Sequence, residues 1–515
     1  MRTRTTSTSR ASRPERTRPI ADPMNASTTI DARTLASPVD THRGPLQITM
    51  SPYYGRPDFT GLAGGDAPAR NIDFVSVADI LRNAFVYPPH SIFEDIKLVT
   101  FGFSPSQDMQ ASPEFHFKFR DSGKRADTEG HPDHDMDWVG TYHRLLCEAV
   151  SESTRDVGSP WLLQSGGKDS TTLAIAVADA RPDTTCITYH GGREENEVES
   201  ATFVARTLGL RHETLMCDPG RAYDRYLAVA DRMPLLTADF ALLSYVDLAT
   251  EIAGRGGHGV IDGLGADSYF GTPMSRQQRT LMRLARGVRL PSSVSELPLV
   301  SSSFELCFLL GTLQMTSIER VFPGSRFTDA EVDEIFGKPV SQASRARLKP
   351  FLAEISSATS LDEWRDMSTS IAGSAGAFAK GLYTCSALGM QASYPFCDVR
   401  FREWVYREVP PHQMIDPQTR VNKVLVRNHI ATRFPELPYV KKKGSFRFDV
   451  RGLAEKRFDT VHDFAVQARD VLPGAVTWLE RNRHRLGNKY HASKFYLLAV
   501  VLPWIQLHRT RTTPP

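Results

Sequence analysis

The chain has 515 residues, a formal net charge of +3 and six cysteines. This length predicts about two to four domains with a sizeable core. The small net charge gives no reason to expect a nucleic acid or an anionic membrane as a partner. No apolar run reaches the length of a membrane span, and no two cysteines form a CxxC pair. We therefore expect a cytoplasmic protein with free thiols.

The first part of the chain differs from the rest in composition. Residues 1–43 contain many Arg, Ser, Thr and Pro without apolar periodicity, which predicts a disordered tail. Residues 44–122 are rich in aromatic residues and Gly/Pro turns, and the alternating run 114–120 predicts a β-strand with one buried face. Residues 123–137 are predicted to form a polar linker, followed by a domain that spans 138–515.

Strands and helices alternate from residue 138 onwards. The predicted order is helix 138–152, strand 161–164, helix 169–181, strand 184–189, helix 196–208, strand 212–217, helix 239–254 and strand 259–262. This alternation predicts an α/β fold, with a parallel sheet, helices on both faces and ligands at the carboxyl ends of the strands. Residues 272–350 and 374–515 are predicted to be mostly helical. Pro503 is expected to break the buried C-terminal helix that contains residues 496–502.

A glycine-rich loop over residues 165–170, with the sequence SGGKDS, joins a predicted strand to a predicted helix. Two glycines let the backbone approach a phosphate, and the start of the helix offers unpaired N–H groups. The spacing differs from that of a Walker loop. Asp169 is expected to hold Mg²⁺ against the phosphates. The residues expected to bind the nucleotide in this loop are Ser165, Gly166, Gly167, Asp169 and Ser170.

A second glycine turn follows the predicted strand 259–262 and carries Gly263, Gly265 and Asp267. Because parallel strands end at a common edge, we expect Asp267 to share one magnesium–pyrophosphate site with Asp169. Gly263 and Gly265 are expected to let the backbone approach the nucleotide. For this loop taken alone, an ordinary turn that is capped by Asp267 remains an equal alternative.

The loop 165–170 resembles the pyrophosphate loop of N-type ATP pyrophosphatases, which split ATP into AMP and pyrophosphate. With the motifs downstream of it, the chain resembles the synthetase domain of class B asparagine synthetases. Residues 389–398 are similar to the stretch of that family that ends in Pro-Phe-Leu-Asp, residues 423–427 to its Lys-x-x-x-Arg helix, and residues 441–446 to its Lys-x-x-Phe loop. The order and rough spacing of these motifs match over residues 140–450.

This resemblance implies the fold of the N-type ATP pyrophosphatases, ATP as the nucleotide and Mg²⁺ as its metal. It also implies that Lys443 and Lys423 are catalytic, since a cation can stabilise the charge that develops on the departing pyrophosphate. The alternative for residues 441–443 is a solvated basic run. Glu197 matches an acidic position of the family and is expected to cap the helix that follows it.

Three departures from the family narrow the function that the resemblance implies. The family has an N-terminal glutaminase domain whose nucleophile is the cysteine after the initiator methionine, whereas here Arg2 follows Met1 and the first cysteine is Cys147. Residues 44–122 are thus expected to be a truncated, β-rich glutaminase-like remnant, and ammonia is not the expected nucleophile. In addition, Leu264 and Gln391 stand where asparagine synthetases carry carboxylates, and both are expected to remove carboxylates from the acyl site.

The relatives without ammonia chemistry are the β-lactam and carbapenam synthetases and the lasso-peptide cyclases. These enzymes adenylate a carboxylate and let an amine of the same molecule attack it. The resemblance therefore implies an AMP-forming carbon–nitrogen ligase, and we favour a macrolactam (lasso) peptide cyclase of antibiotic biosynthesis. Its expected partners are a peptide or small-molecule carboxylate substrate and a maturation protease. An intermolecular small-molecule amide synthetase and a degenerate nucleotide-binding partner protein stay open as alternatives.

Two other interpretations are weaker. Enzymes of tRNA modification carry a similar loop, but the thiolases among them need paired cysteines, and all need a basic RNA-binding face that this sequence does not show. A cluster of His and Asp residues over 131–137 has donors that suit zinc or manganese. Such a cluster is more often a solvated linker, and no cysteine or distant pair of histidines supports a metal site there.

Overall fold

The computed structural model of this chain describes residues 46–49, 57–60, 62, 70–99, 103–105, 115–117, 136–191, 197–270, 279–280, 290, 303–315, 319, 325–358, 360–436, 438 and 448–509. These residues all belong to one compact unit, Pro45–Pro515. The predicted disordered tail 1–43 lies outside the described residues, as does the linker 123–137 up to residue 135.

Short strands and one helix make up the described part of the segment before residue 122. Strand β1 pairs with β2 in parallel, and β3 pairs with β4 in antiparallel orientation. Strand β4 lies inside the alternating run 114–120. The bounds are β1 Leu46–Thr49, α1 Phe74–Asn83, β2 Ile96–Val99, β3 Phe103–Pro105 and β4 Phe115–Phe117.

Buried ion pairs join α1 to helices far along the chain. The Arg347 guanidinium donates to Asp79 at 2.9 Å and also contacts Asp73, the residue that caps the start of α1. Arg82, near the end of α1, donates to Asp329 at 3.0 Å. Apolar side chains of α1 belong to the same core as those of the later helices. The segment 44–122 is therefore tied to the following region by both charge and apolar packing.

Five parallel strands form the central sheet, in the order β7-β6-β5-β8-β9. The parallel sheet that the sequence predicts is thus confirmed, and the first four of its strands lie within one or two residues of their predicted bounds. The fifth strand is a three-residue segment that pattern alone does not reveal. The bounds are β5 Pro160–Leu163, β6 Thr185–His190, β7 Arg211–Met216, β8 Gly259–Ile261 and β9 Gln391–Ser393.

The helices before β9 supply both layers around the sheet. Their bounds are α2 Trp138–Ser153, α3 Lys168–Ala180, α4 Val198–Thr207, α5 Pro219–Leu227, α6 Leu242–Gly254, α7 Ala266–Phe270, α8 Phe304–Gln314, α9 Asp329–Phe336, α10 Ser341–Ala346, α11 Lys349–Ser356, α12 Leu361–Ala372 and α13 Ala379–Ala387. Helix α5 was not among the predicted elements, although Asp218 caps its start and Pro219 occupies its first position. A π-helical turn, Gly373–Phe378, leads into α13.

Alternate residues of the strands pack on opposite faces of the sheet. On one face, Leu162, Cys186 and Ile261 belong to the main core with apolar residues of α2, α3 and α4. On the other face, Trp161 and Val260 pack with apolar residues of α6 and α13. A strand that is covered on both sides is expected to be an apolar run, as the central strands β5 (PWLL) and β8 (GVI) are.

The region after β9 is helical, as predicted. Its helices are α14 Val399–Arg407, α15 Pro411–Met414, α16 Val424–Ala431, α17 Val450–Gln467, α18 Ala475–Asn482 and α19 Lys489–Arg509. No helix among the described residues is long and apolar enough to cross a membrane. All six cysteines have free thiols, as expected from their spacing.

The expectation that Pro503 breaks the C-terminal helix is wrong. Helix α19 continues through Pro503 to Arg509. A proline inside a helix cannot donate a backbone hydrogen bond and crowds the preceding turn. Here nearly all of the helix is buried, and the Tyr226 hydroxyl also donates to its Val500 carbonyl at 2.6 Å. Packing in the core therefore outweighs the loss of the helix bond from residue 503 to the Ala499 carbonyl.

Candidate active site

The glycine-rich loop 165–170 lies between β5 and α3, and its two serines hydrogen-bond to each other. The hydroxyl oxygens of Ser165 and Ser170 are 2.9 Å apart, and the Ser165 N–H donates to the Ser170 hydroxyl at 3.2 Å. The Gly167 N–H donates to the Ser165 hydroxyl, also at 3.2 Å. These bonds fold the loop onto the first turn of α3, which carries Asp169. The loop therefore presents this carboxylate at the carboxyl edge of the sheet.

The Lys423 ammonium contacts both aspartates that the sequence predicts to share a magnesium site. Its ammonium nitrogen lies 2.6 Å and 2.7 Å from the carboxylate oxygens of Asp169, and 2.6 Å from an oxygen of Asp267. The Lys423 side chain is buried. Burial alone would lower the pKa of this amine, but the carboxylates of Asp267 and Asp169 outweigh that effect and raise it. Lys423 is therefore a charged lysine that joins two separate loops.

The loops after β5 and β8 lie against each other, because these strands are parallel neighbours in the sheet. A Cβ atom placed on Gly263 would be 3.7 Å from the backbone carbonyl carbon of Asp169. Gly265 has a φ of 109°, a backbone conformation that favours glycine. The predicted proximity of the two loops is therefore what the structure shows, and the glycines make the close approach possible.

The Asp169 and Asp267 carboxylates are a suitable donor set for Mg²⁺. Magnesium is commonly bound by one or two carboxylates together with phosphate oxygens and waters. Among the described ranges, no group of three or more His, Cys, Asp or Glu residues could hold a metal by itself. A magnesium ion at these two carboxylates would therefore rely on the phosphates of a nucleotide for the rest of its ligands.

The Glu197 side chain binds the glycine-rich loop, so the prediction that it caps α4 is wrong. Glu197 stands at the cap position of α4 but makes no capping hydrogen bond with its side chain. Instead, its carboxylate accepts the Gly166 N–H at 3.0 Å. A Cβ atom on Gly166 would lie 3.1 Å from the Cβ of Glu197, so a larger residue there would crowd this contact. The sequence showed an acidic residue at this position, but pattern could not reveal a contact with a loop in another βα unit.

A chain of hydrogen bonds between side chains links the helices around the site. His429 of α16 lies 2.6 Å from the Thr172 hydroxyl of α3 through Nδ1, and 2.9 Å from His143 of α2 through Nε2. His143 in turn lies 3.2 Å from Asp179 of α3. Since Lys423 immediately precedes α16, these bonds hold its helix against the helix that carries Asp169.

Two other sequence interpretations have different outcomes. The Gln391 amide donates to the Ser153 carbonyl at 2.6 Å, and Gln391 pairs with Gly259 at the amino end of the sheet. The expectation that position 391 belongs to the acyl site is therefore not supported, because ligands of such a sheet bind at the opposite edge, where the strands have their carboxyl ends.

Lys443 and the His/Asp positions 131–135 lie outside the described residues. Asp137, from the same cluster, caps α2 by accepting the Gly140 N–H at 2.8 Å.

The asparagine synthase family model matches residues 141–472, which is more than half of the chain. The chain belongs to the asparagine synthase family. Members of this family are ATP-dependent, AMP-forming ligases, so this chain is an ATP-dependent ligase of the amide-forming type. The matched range contains both glycine loops and Lys423. A comparison with curated proteins gives no match.

The buried His429 makes stability depend on pH. Burial, with His143 and Arg433 nearby, lowers the pKa of His429 from 6.5 to about 3. Below pH 6.5 the unfolded chain binds a proton that the folded chain does not, so acid lowers the free energy of unfolding. We expect His429→Gln to reduce the loss of stability between about pH 7 and pH 5 by about 2 kcal/mol.

This prediction is measured by urea unfolding of the wild type and the variant at both pH values. The control is the same substitution at the exposed His484, which should keep the pH dependence of the wild type. A wild-type pH dependence in His429→Gln would contradict the assignment of a buried neutral imidazole.

Proposed function

We propose that this ligase adenylates a carboxylate of its substrate with ATP and lets an amine of the same substrate attack, most specifically as a macrolactam (lasso-type) peptide cyclase. The observation that carries the adenylation step is the convergence of Asp169, Asp267 and Lys423 beside the glycine-rich loop. Mg²⁺ held by the two carboxylates, together with the Lys423 ammonium and the N–H groups of the loop, would supply the positive charge and the donors that a phosphate leaving group needs. The proposed partners are a peptide or small-molecule carboxylate and a protease that releases its reacting end.

In the first step, a carboxylate oxygen of the substrate attacks the α-phosphorus of ATP. The bond from that phosphorus to the bridging oxygen breaks, and pyrophosphate leaves. Ser165, Gly166, Gly167 and Ser170 are proposed to bind the departing phosphates, which the positive end of the α3 dipole would also attract. A phosphate that accepts the Gly166 N–H has to displace the Glu197 carboxylate, so Glu197 moves when the nucleotide binds.

Lys423 is proposed to stabilise the charge that develops on the pyrophosphate oxygens. Its ammonium is buried, fully charged and fixed by two carboxylates, so it needs little reorganisation during the reaction. When Mg²⁺ is bound at Asp169 and Asp267, it supplies further neutralisation of the phosphate charge. The resemblance to asparagine synthetases implies a similar task for Lys443.

In the second step, the substrate amine attacks the acyl carbon of the adenylate, AMP leaves and an amide forms. Leu264 supports a substrate other than aspartate. Its side chain is partly buried and packs against the main core, so this loop position provides an apolar surface where asparagine synthetases have a carboxylate. An intramolecular amine then replaces ammonia as the nucleophile.

The proposed reaction predicts its nucleotide products. With Mg²⁺, ATP and a linear peptide that has a free amino terminus and an acidic side chain, we expect AMP and pyrophosphate in equal amounts. The peptide product should be one water lighter than the substrate. Liquid chromatography with mass spectrometry measures both. Formation of ADP would contradict the mechanism, and a product that appears only after addition of a separate amine would indicate an intermolecular ligase.

Substitution of either carboxylate is expected to lower the turnover number strongly. We expect Asp169→Asn and Asp267→Asn each to lower kcat at least 100-fold, because each loses a charged oxygen that holds Mg²⁺ and orients Lys423; such a factor corresponds to about 2.7 kcal/mol. Circular dichroism should show an intact fold. Asp183→Asn is the control and should keep the wild-type kcat, since Asp183 lies beyond the carboxyl end of α3, where it pairs with Arg181 at 2.9 Å. Retention of a tenth of the wild-type kcat in either site variant would refute the assignment.

A further inference from the structure

A cavity of about 440 Å³ lies beside the C-terminal end of α1, between α8 and the start of α9. None of its lining residues belongs to the two glycine loops or to α16. The polar residues that line it are Arg82, Gln314, Glu319, Arg326, Thr328 and Asp329. Its volume lies within the range of pockets that bind small molecules. The cavity is therefore a second candidate binding site.

Arginine and acidic side chains form ion pairs around this cavity. Arg82 donates to Asp329 at 3.0 Å and also contacts Glu319. Arg345 contacts the second oxygen of Asp329. Arg326 takes part in none of these pairs, although the charges of Glu319 and Asp239 act on it and oppose the lowering of its pKa by burial.

Within the described ranges, the Arg326 guanidinium lacks hydrogen-bond acceptors for two of its nitrogens. The residue is only 8% exposed, and its Nε and Nη1 are buried without a hydrogen-bond partner among the residues that the structure describes. Burial lowers its pKa to about 10, so the group stays protonated at neutral pH. A buried charge without a hydrogen-bonded partner is strongly unfavourable. A chain that keeps such a group next to a cavity has a site for an anion there.

The surroundings of Arg326 select the type of anion. Glu319 and Asp329 lie in the same wall and repel a polyanion such as a nucleotide triphosphate. The apolar side chains of Leu290, Met315 and Phe327 line the cavity as well. A planar guanidinium binds a carboxylate through two parallel hydrogen bonds. These features fit a singly charged organic acid with an apolar group.

We propose that this cavity binds a monocarboxylate that carries a short apolar group, with Arg326 as the residue that recognises the carboxylate. The site requires neither ATP nor the glycine-rich loop, so this proposal is independent of the proposed function. The carboxylate belongs either to a free small acid or to the carboxyl end of a peptide, since both present the same group.

The experiment uses the full chain and three probes. N-acetyl-leucine carries the carboxylate and an apolar side chain, N-acetyl-leucinamide lacks only the charge, and a pentapeptide acid that ends in leucine tests the peptide source. Isothermal titration calorimetry is expected to show binding of N-acetyl-leucine at least tenfold tighter than that of the amide. Comparable binding of the pentapeptide would identify a peptide end as the ligand, and its absence a free acid. Equal affinities of N-acetyl-leucine and its amide would overturn the proposal.

Substitution at two arginines separates recognition from stability. Arg326→Met should weaken N-acetyl-leucine binding at least tenfold while the ligand-free Tm stays equal to or above that of the wild type, because a buried unpaired charge is removed. Arg347→Met is the matched control: its guanidinium is paired with Asp73 and Asp79, so the Tm should fall and binding should persist. If Arg326→Met lowers the Tm as Arg347→Met does and leaves binding unchanged, Arg326 is structural and the proposal is wrong. Arg326→Gln, which keeps polarity without charge, should lose binding in the same way.

Discussion

The contact of one buried ammonium with two carboxylates organises this site. Lys423 reaches Asp169 on the loop after β5 and Asp267 at the start of α7, so its charge joins neighbouring strands of the sheet. Removing one partner of a buried ion pair typically costs about 3–5 kcal/mol, because the remaining charge has no solvent. Lys423 has a φ of 61°, and the His429 contacts hold the helix that follows it. Backbone conformation and side-chain contacts therefore both place this ammonium.

Other buried charges in the chain are also paired with a side chain from a distant segment. Arg347 ties α1 to α10 and α11 through Asp73 and Asp79, and the buried Lys494 lies 2.7 Å from Glu331 in the helical region. In each case the desolvation of a charged group is offset by a partner from a distant segment. Arg326 is the contrasting case, since two of its buried nitrogens have no partner in the described part of the chain. The proposed ligand would supply the missing hydrogen-bond acceptors.

Local pattern was sufficient for four of the five strands of the sheet and for the loops at its edge. Alternating apolar strands and helices predicted the order from α2 to β8 except for α5, and the glycines of 165–170 and 262–267 marked the two turns. Contacts between residues that are distant in the sequence could not be predicted from local pattern. The bond from Gly166 to Glu197 spans 31 positions and the contact of Thr172 with His429 spans 257. Pro503 shows the same limit, since burial of the helix in the core outweighs its local preference.

The central claim is that the glycine-rich loop and the Lys423 cluster together form a site for the pyrophosphate of ATP. A crystal structure of the enzyme with Mg²⁺ and a non-cleavable ATP analogue tests it most directly. The account predicts β- and γ-phosphates at the N–H groups of Gly166 and Gly167, Mg²⁺ at Asp169 and Asp267, and Glu197 moved away from Gly166. Phosphates bound elsewhere, with Glu197 still accepting the Gly166 N–H, would contradict it.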